Sequence, residues 1–184
     1  MGKLFESIDD GLACFIAAQH VFFVSTAPLA ADGHLNLSPK GLDTFRVIDA
    51  HTVAYLDLTG SGVETIAHLR ENSRIVIMFC AFEGAPKILR LHGRGDVLEP
   101  GDPDFDRLRT LFGTHEAVRS IIRVDVHRIA DSCGYGVPTC RWESDRAQLP
   151  AWAARKGQAG VEQYRADNNR QSIDGLPGVT IRER

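Results

Sequence analysis

Residues 52–80 read Thr-Val-Ala-Tyr-Leu-Asp-Leu (52–58), Thr-Gly-Ser-Gly-Val-Glu-Thr (59–65), Ile-Ala-His-Leu-Arg-Glu-Asn-Ser (66–73) and Arg-Ile-Val-Ile-Met-Phe-Cys (74–80). The first and last of these segments are short, apolar and rich in β-branched residues, a pattern typical of strands with a buried face. Between them, Ile66 and Leu69 are spaced as on one face of a short helix. The stretch therefore predicts a strand, a turn, a helix and a second strand.

The turn before this helix has the composition of an anion-binding site. Gly60 and Gly62 free the backbone, and unpaired N–H groups at a helix start favour a phosphate. Ser61 is the predicted N-cap, and Glu64 three residues later completes the spacing of a capping box. Two interpretations stay open. The turn binds a phosphate, or it is only a capped helix start in which Glu64 takes the same donors.

Length and composition restrict the class of protein. With 184 residues, 43% of them hydrophobic and 24% charged, the chain is expected to form one globular domain. A net charge of −3 gives no electrostatic basis for binding nucleic acid or an anionic membrane. No apolar run approaches the roughly 20 residues that span a bilayer, and the first residues lack a secretory h-region. We therefore expect a cytoplasmic protein without nucleic-acid or membrane partners.

Neither cysteine nor histidine spacing predicts a metal site. None of the four cysteines, Cys14, Cys80, Cys133 and Cys140, forms a C-x-x-C pair, so free thiols are expected in a reducing compartment. The seven histidines are scattered, and no pair has ligand spacing on one predicted helix. The signatures of serine hydrolases, zinc proteases, Walker loops and Rossmann domains are absent as well.

The rest of the chain predicts a mainly β protein with helical additions. Besides the central unit, strands are predicted at 21–26, 35–40, 45–48, 86–98 and 120–129, and helices at 7–18, 102–112, 149–156 and 161–169. Gly93 and Gly95 predict a bulge or bend in the long strand 86–98. Residues 172–184 have little apolar periodicity and are expected to be extended or frayed. Six or so strands joined mostly by short turns favour an antiparallel barrel.

Polar residues cluster at a few places along these elements. Asn36, Ser38 and Lys40 alternate along one strand and therefore project to one side, either into a site or as a solvated edge. Thr65 and His68, three residues apart on the short helix, would flank whatever binds at its start.

Two further positions carry polar groups in unusual surroundings. Arg90 shares a strand face with His92 inside an apolar run, so it must pair with another group or reach water. In the loop Cys133–Pro138, Tyr135 stands between two glycines, where it either presents its ring to a ligand or only seals a subunit contact.

Five motifs in this order resemble the pyridoxamine 5'-phosphate oxidase-related proteins, which are FMN-binding split-barrel proteins. They are Leu-Asn-Leu-Ser-Pro-Lys-Gly (35–41), Asp-Leu-Thr-Gly-Ser-Gly-Val-Glu-Thr (57–65), His-Leu-Arg-Glu-Asn-Ser-Arg-Ile-Val-Ile-Met-Phe (68–79), Arg-Leu-His-Gly-Arg-Gly (90–95) and Ser-Cys-Gly-Tyr-Gly-Val-Pro (132–138). The resemblance covers residues 21–138. It implies a six-stranded antiparallel split β-barrel, a homodimer, and FMN in two equivalent clefts at the dimer interface. Residues 1–140 would form the FMN-binding split-barrel domain, and 141–184 a helical C-terminal extension of that domain.

The resemblance also implies a set of cofactor-binding residues. On the strands that border the flavin these are Ser38, Lys40, Tyr55, Leu56 and Asp57. At the turn and helix that hold the FMN phosphate they are Ser61, Gly62, Thr65 and His68. Two positions match more loosely, Arg90 facing the cleft and Tyr135 in the loop that approaches the flavin from the other subunit.

The chain departs from true pyridoxamine phosphate oxidases in two places. The basic pair of their phosphate-binding turn is Ser61-Gly62 here, and their C-terminal segment with a Trp and an Arg-x-His motif has no convincing counterpart. Vitamin B6 oxidation is therefore not expected. The expectation is an FMN-dependent oxidoreductase acting on a small molecule, with no assigned catalytic side chain. The alternatives are a flavin- or haem-binding protein without turnover, or a deazaflavin-dependent reductase of the same fold.

Overall fold

The computed structural model describes residues 2–181. They form a curled antiparallel sheet of eight strands with four helices. The strands are β1 (Leu4–Phe5), β2 (Phe22–Thr26), β3 (Asn36–Lys40), β4 (Phe45–Val47), β5 (Thr52–Leu58), β6 (Arg74–Cys80), β7 (Ile88–Leu98) and β8 (Val118–Ser132). The helices are α1 (Asp10–Ala17), α2 (Glu64–Asn72), α3 (Pro103–Arg109) and α4 (Gln148–Asn168). No helix within residues 2–181 is both long and apolar enough to cross a membrane.

The sheet runs in the order β3-β2-β6-β7-β8-β5-β4, with β1 added on β8. Its two ends are β3 and β4, which pair on one side only, so the barrel is open along these edges. The central pair β7 and β8 shifts register between His92 and Gly93. A side chain at Gly93 would collide with Val124 and the Asp125 carbonyl, and this close approach explains the glycine. The predicted bulge is confirmed.

Apolar residues on both faces of the sheet build the core. The larger cluster lies inside the curled sheet against α1 and α2, and its centre is aromatic: the Phe45 ring lies 5.0 Å from the rings of Phe22 and Phe79, centroid to centroid. A smaller cluster packs α3, through Phe105 and Leu108, on the outer face of β5 and β8. The strands are thus buried on both faces here, which accounts for the nearly continuous apolar sequence of β5.

Helix starts and chain ends differ from the sequence prediction. The predicted cap at Ser61 is wrong, because α2 begins at Glu64 with Val63 as its N-cap and without a side-chain cap. The two helices predicted near the C-terminus are joined into α4 through a kink at Gly157, whose φ of 64° suits glycine. The strand predicted at 45–48 is present as β4, and the short strand β1, which was not predicted, brings the sheet to eight strands rather than the six or so expected.

The C-terminal segment is bound to the barrel rather than frayed. After α4, the Gly178 and Val179 N–H groups donate to backbone carbonyls of Arg170 and Asn169, and the Thr180 N–H donates to the Glu99 carboxylate at 2.9 Å. Of the two alternatives expected for this segment, extended or frayed, the second is wrong for residues 172–180. Its last residues, 182–184, lie outside the described part of the chain.

Candidate functional site

The alternation predicted for β3 places its polar side chains on one side. Asn36 donates from Nδ2 to the hydroxyls of Thr65 on α2, at 3.0 Å, and of Thr26 on β2, at 3.2 Å. The Ser38 hydroxyl is buried and has no hydrogen-bond partner within residues 2–181. Lys40 ends the strand on the same side, 22% exposed at its side chain. These contacts join β3, β2 and α2 into one polar cluster.

His68 is the buried member of this cluster. Its Nδ1 lies 2.9 Å from the Thr26 hydroxyl in a hydrogen bond, and Nε2 has no partner within residues 2–181. Burial lowers the pKa of His68 from its ordinary value, and the nearby acids Asp174, Glu64 and Glu71 oppose this only in part. The ring is therefore neutral at pH 7, with one nitrogen available for a ligand.

Asp57 on β5 faces Lys40 across the open side of the barrel. Its Oδ1 lies 3.5 Å from Lys40 Nζ, and its Oδ2 accepts hydrogen bonds from Arg119 Nε at 2.8 Å and the Ser120 hydroxyl at 3.2 Å. Burial alone would raise the pKa of Asp57, but the charges of Arg119 and Lys40 hold that pKa below its ordinary value. Asp57 is therefore a buried carboxylate whose Oδ1 has no hydrogen bond within the described chain.

Because side chains alternate between the two faces of β5, Tyr55 and Leu56 point in opposite directions. Tyr55 points into the aromatic core, where its hydroxyl is buried without a partner of good hydrogen-bond geometry within residues 2–181. Desolvation raises the pKa of this phenol well above its ordinary value. Leu56 points to the opposite face and packs in the cluster under α3. Of the two side chains, only Tyr55 lies on the face of the polar cluster.

The predicted phosphate-binding turn lies at the surface beside this cluster. Ser61 and Gly62 are exposed, whereas Thr65 is buried. The Glu64 carboxylate folds back against Gly62, where any Cβ would collide with it, and accepts a hydrogen bond from the Ile173 N–H at 3.2 Å. An anion arriving at this turn therefore meets Glu64.

The two loosely matched residues lie elsewhere. Arg90 on β7 donates from Nη1 to the Ser132 hydroxyl at 3.0 Å. Tyr135, in the loop after β8, is 83% exposed. No hydrogen bond within residues 2–181 joins either residue to the polar cluster.

Two residues that the sequence analysis did not select complete the site. Arg119, at the start of β8, donates hydrogen bonds to Asp57 and to the Gly62 carbonyl. Asn169, directly after α4, donates to the Gly60 carbonyl. The signal for Arg119 was a charged residue at the beginning of an apolar run predicted to start at Ser120. Nothing in the local sequence marks Asn169.

A cavity of about 900 Å³ opens on the other side of Lys40. One wall carries Trp142, whose indole stacks on the His20 ring with centroids 4.1 Å apart and planes at 10°. The backbone N–H of Trp142 donates to the Glu83 carboxylate at 3.0 Å, which ties this loop to the barrel. Lys40 lines both the cavity and the polar cluster, so the two spaces adjoin at its side chain.

The donors and acceptors of the cluster suit a polar organic ligand better than a metal ion. Within residues 2–181, no three His, Cys, Asp or Glu side chains are placed to hold a metal. Four polar atoms of the predicted site residues are buried without a hydrogen bond within residues 2–181: Ser38 Oγ, Tyr55 OH, Asp57 Oδ1 and His68 Nε2. Of these, Asp57 Oδ1 has the Lys40 ammonium at 3.5 Å. Buried polar atoms normally have hydrogen-bond partners. These four, with the Lys40 ammonium, fit a ligand that carries several donors and acceptors.

Comparison with known proteins places the chain in a family. Residues 8–133 match the sequence profile of the pyridoxamine 5'-phosphate oxidase family. The pyridoxamine 5'-phosphate oxidase family protein ustO of Aspergillus flavus is 38% identical over an alignment of 196 residues. The alignment covers 97% of this chain and 78% of that protein.

Solved structures agree on the fold. HupZ of Group A Streptococcus superposes with a TM-score of 0.51 at 23% identity, covering 66% of this chain and 91% of that chain. A putative pyridoxamine 5'-phosphate oxidase from Lactobacillus delbrueckii gives 0.52 at 16% identity, covering 68% and 94%. The predicted split-barrel fold is confirmed, and the chain belongs to the pyridoxamine 5'-phosphate oxidase family.

Proposed function

We propose that this protein is an FMN-dependent oxidoreductase that acts on a small molecule. The observation that carries the proposal is the set of buried polar atoms without a hydrogen bond on Ser38, Tyr55, Asp57 and His68, in a chain of this split-barrel family. Leaving such atoms without partners costs free energy, and a flavin offers the carbonyl and N–H groups that would satisfy them. The flavin supplies the electron transfer, and the protein supplies binding, orientation and electrostatics.

Each part of the cluster has a role in this proposal. The turn at residues 60–62 and Thr65 bind the FMN phosphate. Lys40, whose ammonium lies 3.5 Å from Asp57, supplies a positive charge beside the flavin. Ser38 and His68 bind the polar edge of the ring system. Because its pKa is lowered, His68 offers a neutral imidazole rather than a second cation.

A homodimer would complete the site. Two leucines that point away from the cluster are exposed, Leu37 in β3 by 67% and Leu35, directly before the strand, by 79%. An edge strand with an exposed apolar face favours association, and a two-fold dimer is the commonest closed assembly. The partner copy would also give Tyr135 a role, because its loop would reach the flavin of the other subunit.

The cavity beside Lys40 is the proposed substrate compartment. It adjoins the polar cluster at Lys40 and is lined by the Trp142–His20 stack. Pyridoxamine phosphate oxidation is not proposed, because Ser61-Gly62 replaces the basic pair and the C-terminal substrate motif has no counterpart.

An absorption spectrum and two titrations test the proposal. The purified protein should show flavin bands and bind FMN at least about tenfold more tightly than riboflavin, since each charge-assisted phosphate bond contributes about 1.5–3 kcal/mol. A Soret band would instead indicate a haem protein. Equal affinity for FMN and riboflavin would contradict the phosphate site.

Reduction of the bound flavin by NADH or NADPH then distinguishes an enzyme from a binding protein without turnover. Binding of a deazaflavin in preference to FMN would indicate the reductase alternative.

A variant pair tests the role of Lys40. Lys40→Met should weaken FMN binding about tenfold or more, because it removes a charge-assisted contact. Lys156→Met removes the same charge from the exposed surface of α4 and should bind FMN like the parent. If both variants bind equally, Lys40 has no role in flavin binding.

A further inference from the structure

All three backbone carbonyl groups of the turn at residues 60–62 accept hydrogen bonds from two buried side chains, Asn169 and Arg119. Asn169 donates from Nδ2 to the carbonyls of Gly60, at 3.0 Å, and Ser61, at 3.4 Å. Arg119 donates from Nη1 to the Gly62 carbonyl at 2.8 Å and to Asn169 Oδ1 at 2.9 Å. We call Asn169 and Arg119 the carbonyl brace.

The brace itself is fixed in place. Asn169 is fully buried, and only 4% of the Arg119 side chain is exposed to solvent. Arg119 is anchored to Asp57 at 2.8 Å, and the Asn169 backbone is held by the Arg165 carbonyl at 2.8 Å and the Val179 N–H at 2.9 Å. Satisfied buried polar networks are rigid, so the brace sets the orientation of the turn.

This orientation determines where the N–H groups point. In a trans peptide unit the C=O of one residue and the N–H of the next point in opposite directions, and residues 2–181 contain no cis peptide. With the carbonyls of 60–62 facing the brace, the N–H groups of Ser61, Gly62 and Val63 face the other way. None of the three donates a hydrogen bond within residues 2–181. Successive free N–H groups of this kind bind anions.

We propose that Asn169, acting through these carbonyls and Arg119, is the positioning residue of the phosphate site. The inference rests on the proposed function and deepens it. The site binds phosphate through backbone N–H groups that the brace turns outward, at a turn whose residues 60–62 carry no basic side chain of their own. The C-terminal segment, through one amide side chain, therefore controls whether the cofactor's phosphate contributes to binding.

Variants of Asn169 test this directly. Asn169→Asp keeps the size of the side chain but loses the donor to the Gly60 and Ser61 carbonyls, and Asn169→Ala removes both functions. Both should reduce the ratio of FMN to riboflavin affinity by about tenfold while riboflavin affinity stays at the parent value. Ser172→Ala is the matched control, because Ser172 accepts a hydrogen bond from the Leu176 N–H at 3.1 Å and has no bond to the turn. A parent-like ratio in the Asn169 variants would overturn the inference.

A measurement on the parent protein covers variants that fail to fold. FMN, but not riboflavin, should shift the backbone amide resonances of Ser61, Gly62 and Val63, and unshifted amides in the FMN complex would overturn the inference. If the protein binds no flavin, the proposed function fails, and the same amides are titrated with inorganic phosphate alone. Phosphate-induced shifts of these three amides would uphold the brace without the flavin, and their absence would overturn it.

Discussion

Arg119 and Asp57 form a buried ion pair, with Arg119 Nε donating to Asp57 Oδ2 at 2.8 Å and both side chains almost wholly removed from solvent. The pair joins the start of β8 to the end of β5. It also connects the polar cluster, through Lys40 at 3.5 Å from Asp57, to the carbonyl brace under the phosphate turn. One buried carboxylate therefore organises both halves of the proposed flavin site.

Breaking this pair should cost substantial stability. Asp57→Asn leaves the Arg119 guanidinium buried without its counter-charge, and removing one partner of a buried pair costs about 3–5 kcal/mol of unfolding free energy. Asp96→Asn, which breaks the partly exposed pair of Asp96 with Arg123, is the control and should cost at most about 1 kcal/mol. Urea denaturation measures both. Similar losses in the two variants would contradict the importance of the buried pair.

The free energy of unfolding should decrease as the pH is lowered, because His68 takes up a proton less readily in the folded protein than in the unfolded chain. Burial lowers its pKa in the folded state, so below 6.5 the unfolded chain binds more protons than the folded one. The stabilisation is present above pH 6.5 and is lost as pH falls through 6.5 toward the lower folded value. His68→Gln should therefore lose less melting temperature than the parent between pH 8 and pH 5.5. Parallel losses would assign the acid sensitivity to other groups, such as His92 and His115, whose pKa values burial also lowers.

Removing the charge of Glu64 should strengthen FMN binding. The carboxylate lies against Gly62 at the phosphate turn, and a like charge beside a phosphate is repulsive. Glu64→Gln should raise FMN affinity and leave riboflavin affinity unchanged. Glu6→Gln, an exposed residue near the N-terminus, makes the same change in net charge without facing the turn. An equal gain in both variants would indicate only a net-charge effect.

The exposed Leu37 of β3 and the adjacent Leu35 should stabilise the dimer interface. Leu37→Lys places a charge on the apolar face that the proposed partner covers, so sedimentation should show a monomer with weakened FMN binding. Leu111→Lys alters another exposed leucine, beyond α3, and should leave the assembly unchanged. A Leu37→Lys dimer would exclude this face as the interface.

Tyr135 should matter to the cofactor rather than to the fold. Because 83% of the residue is exposed, Tyr135→Ala should change the unfolding free energy of the single chain by no more than about 0.5 kcal/mol. If the ring meets the flavin of the other subunit, the same variant changes flavin fluorescence or turnover, and Tyr135→Phe separates the ring from its hydroxyl. A weakened dimer with an unchanged flavin spectrum would assign Tyr135 to the subunit contact alone.

Local sequence patterns were sufficient for most of the framework. The β-branched segments of β5 and β6, the alternation of Asn36, Ser38 and Lys40, and the glycine bulge at Gly93 all follow from side-chain periodicity or backbone sterics. Motif order gave the family. The strand periodicities depend on neighbours within a few residues, so the sequence alone determined them. Gly93 marked the bulge because its lack of a side chain admits the close approach of β8.

Tertiary structure decided how the phosphate turn is built. Local spacing predicted a Ser61 cap, but the helix starts at Glu64. The turn is held instead by Arg119 and by Asn169, 57 and up to 109 residues away in sequence. Hydrogen bonds over such separations leave no periodic pattern, because each partner's own segment looks ordinary. Local sequence determined most of the helices and strands. Only the folded chain brought the end of α4 next to residues 60–62, where the side chains of Asn169 and Arg119 bind the carbonyl groups and so orient the peptide units of the turn.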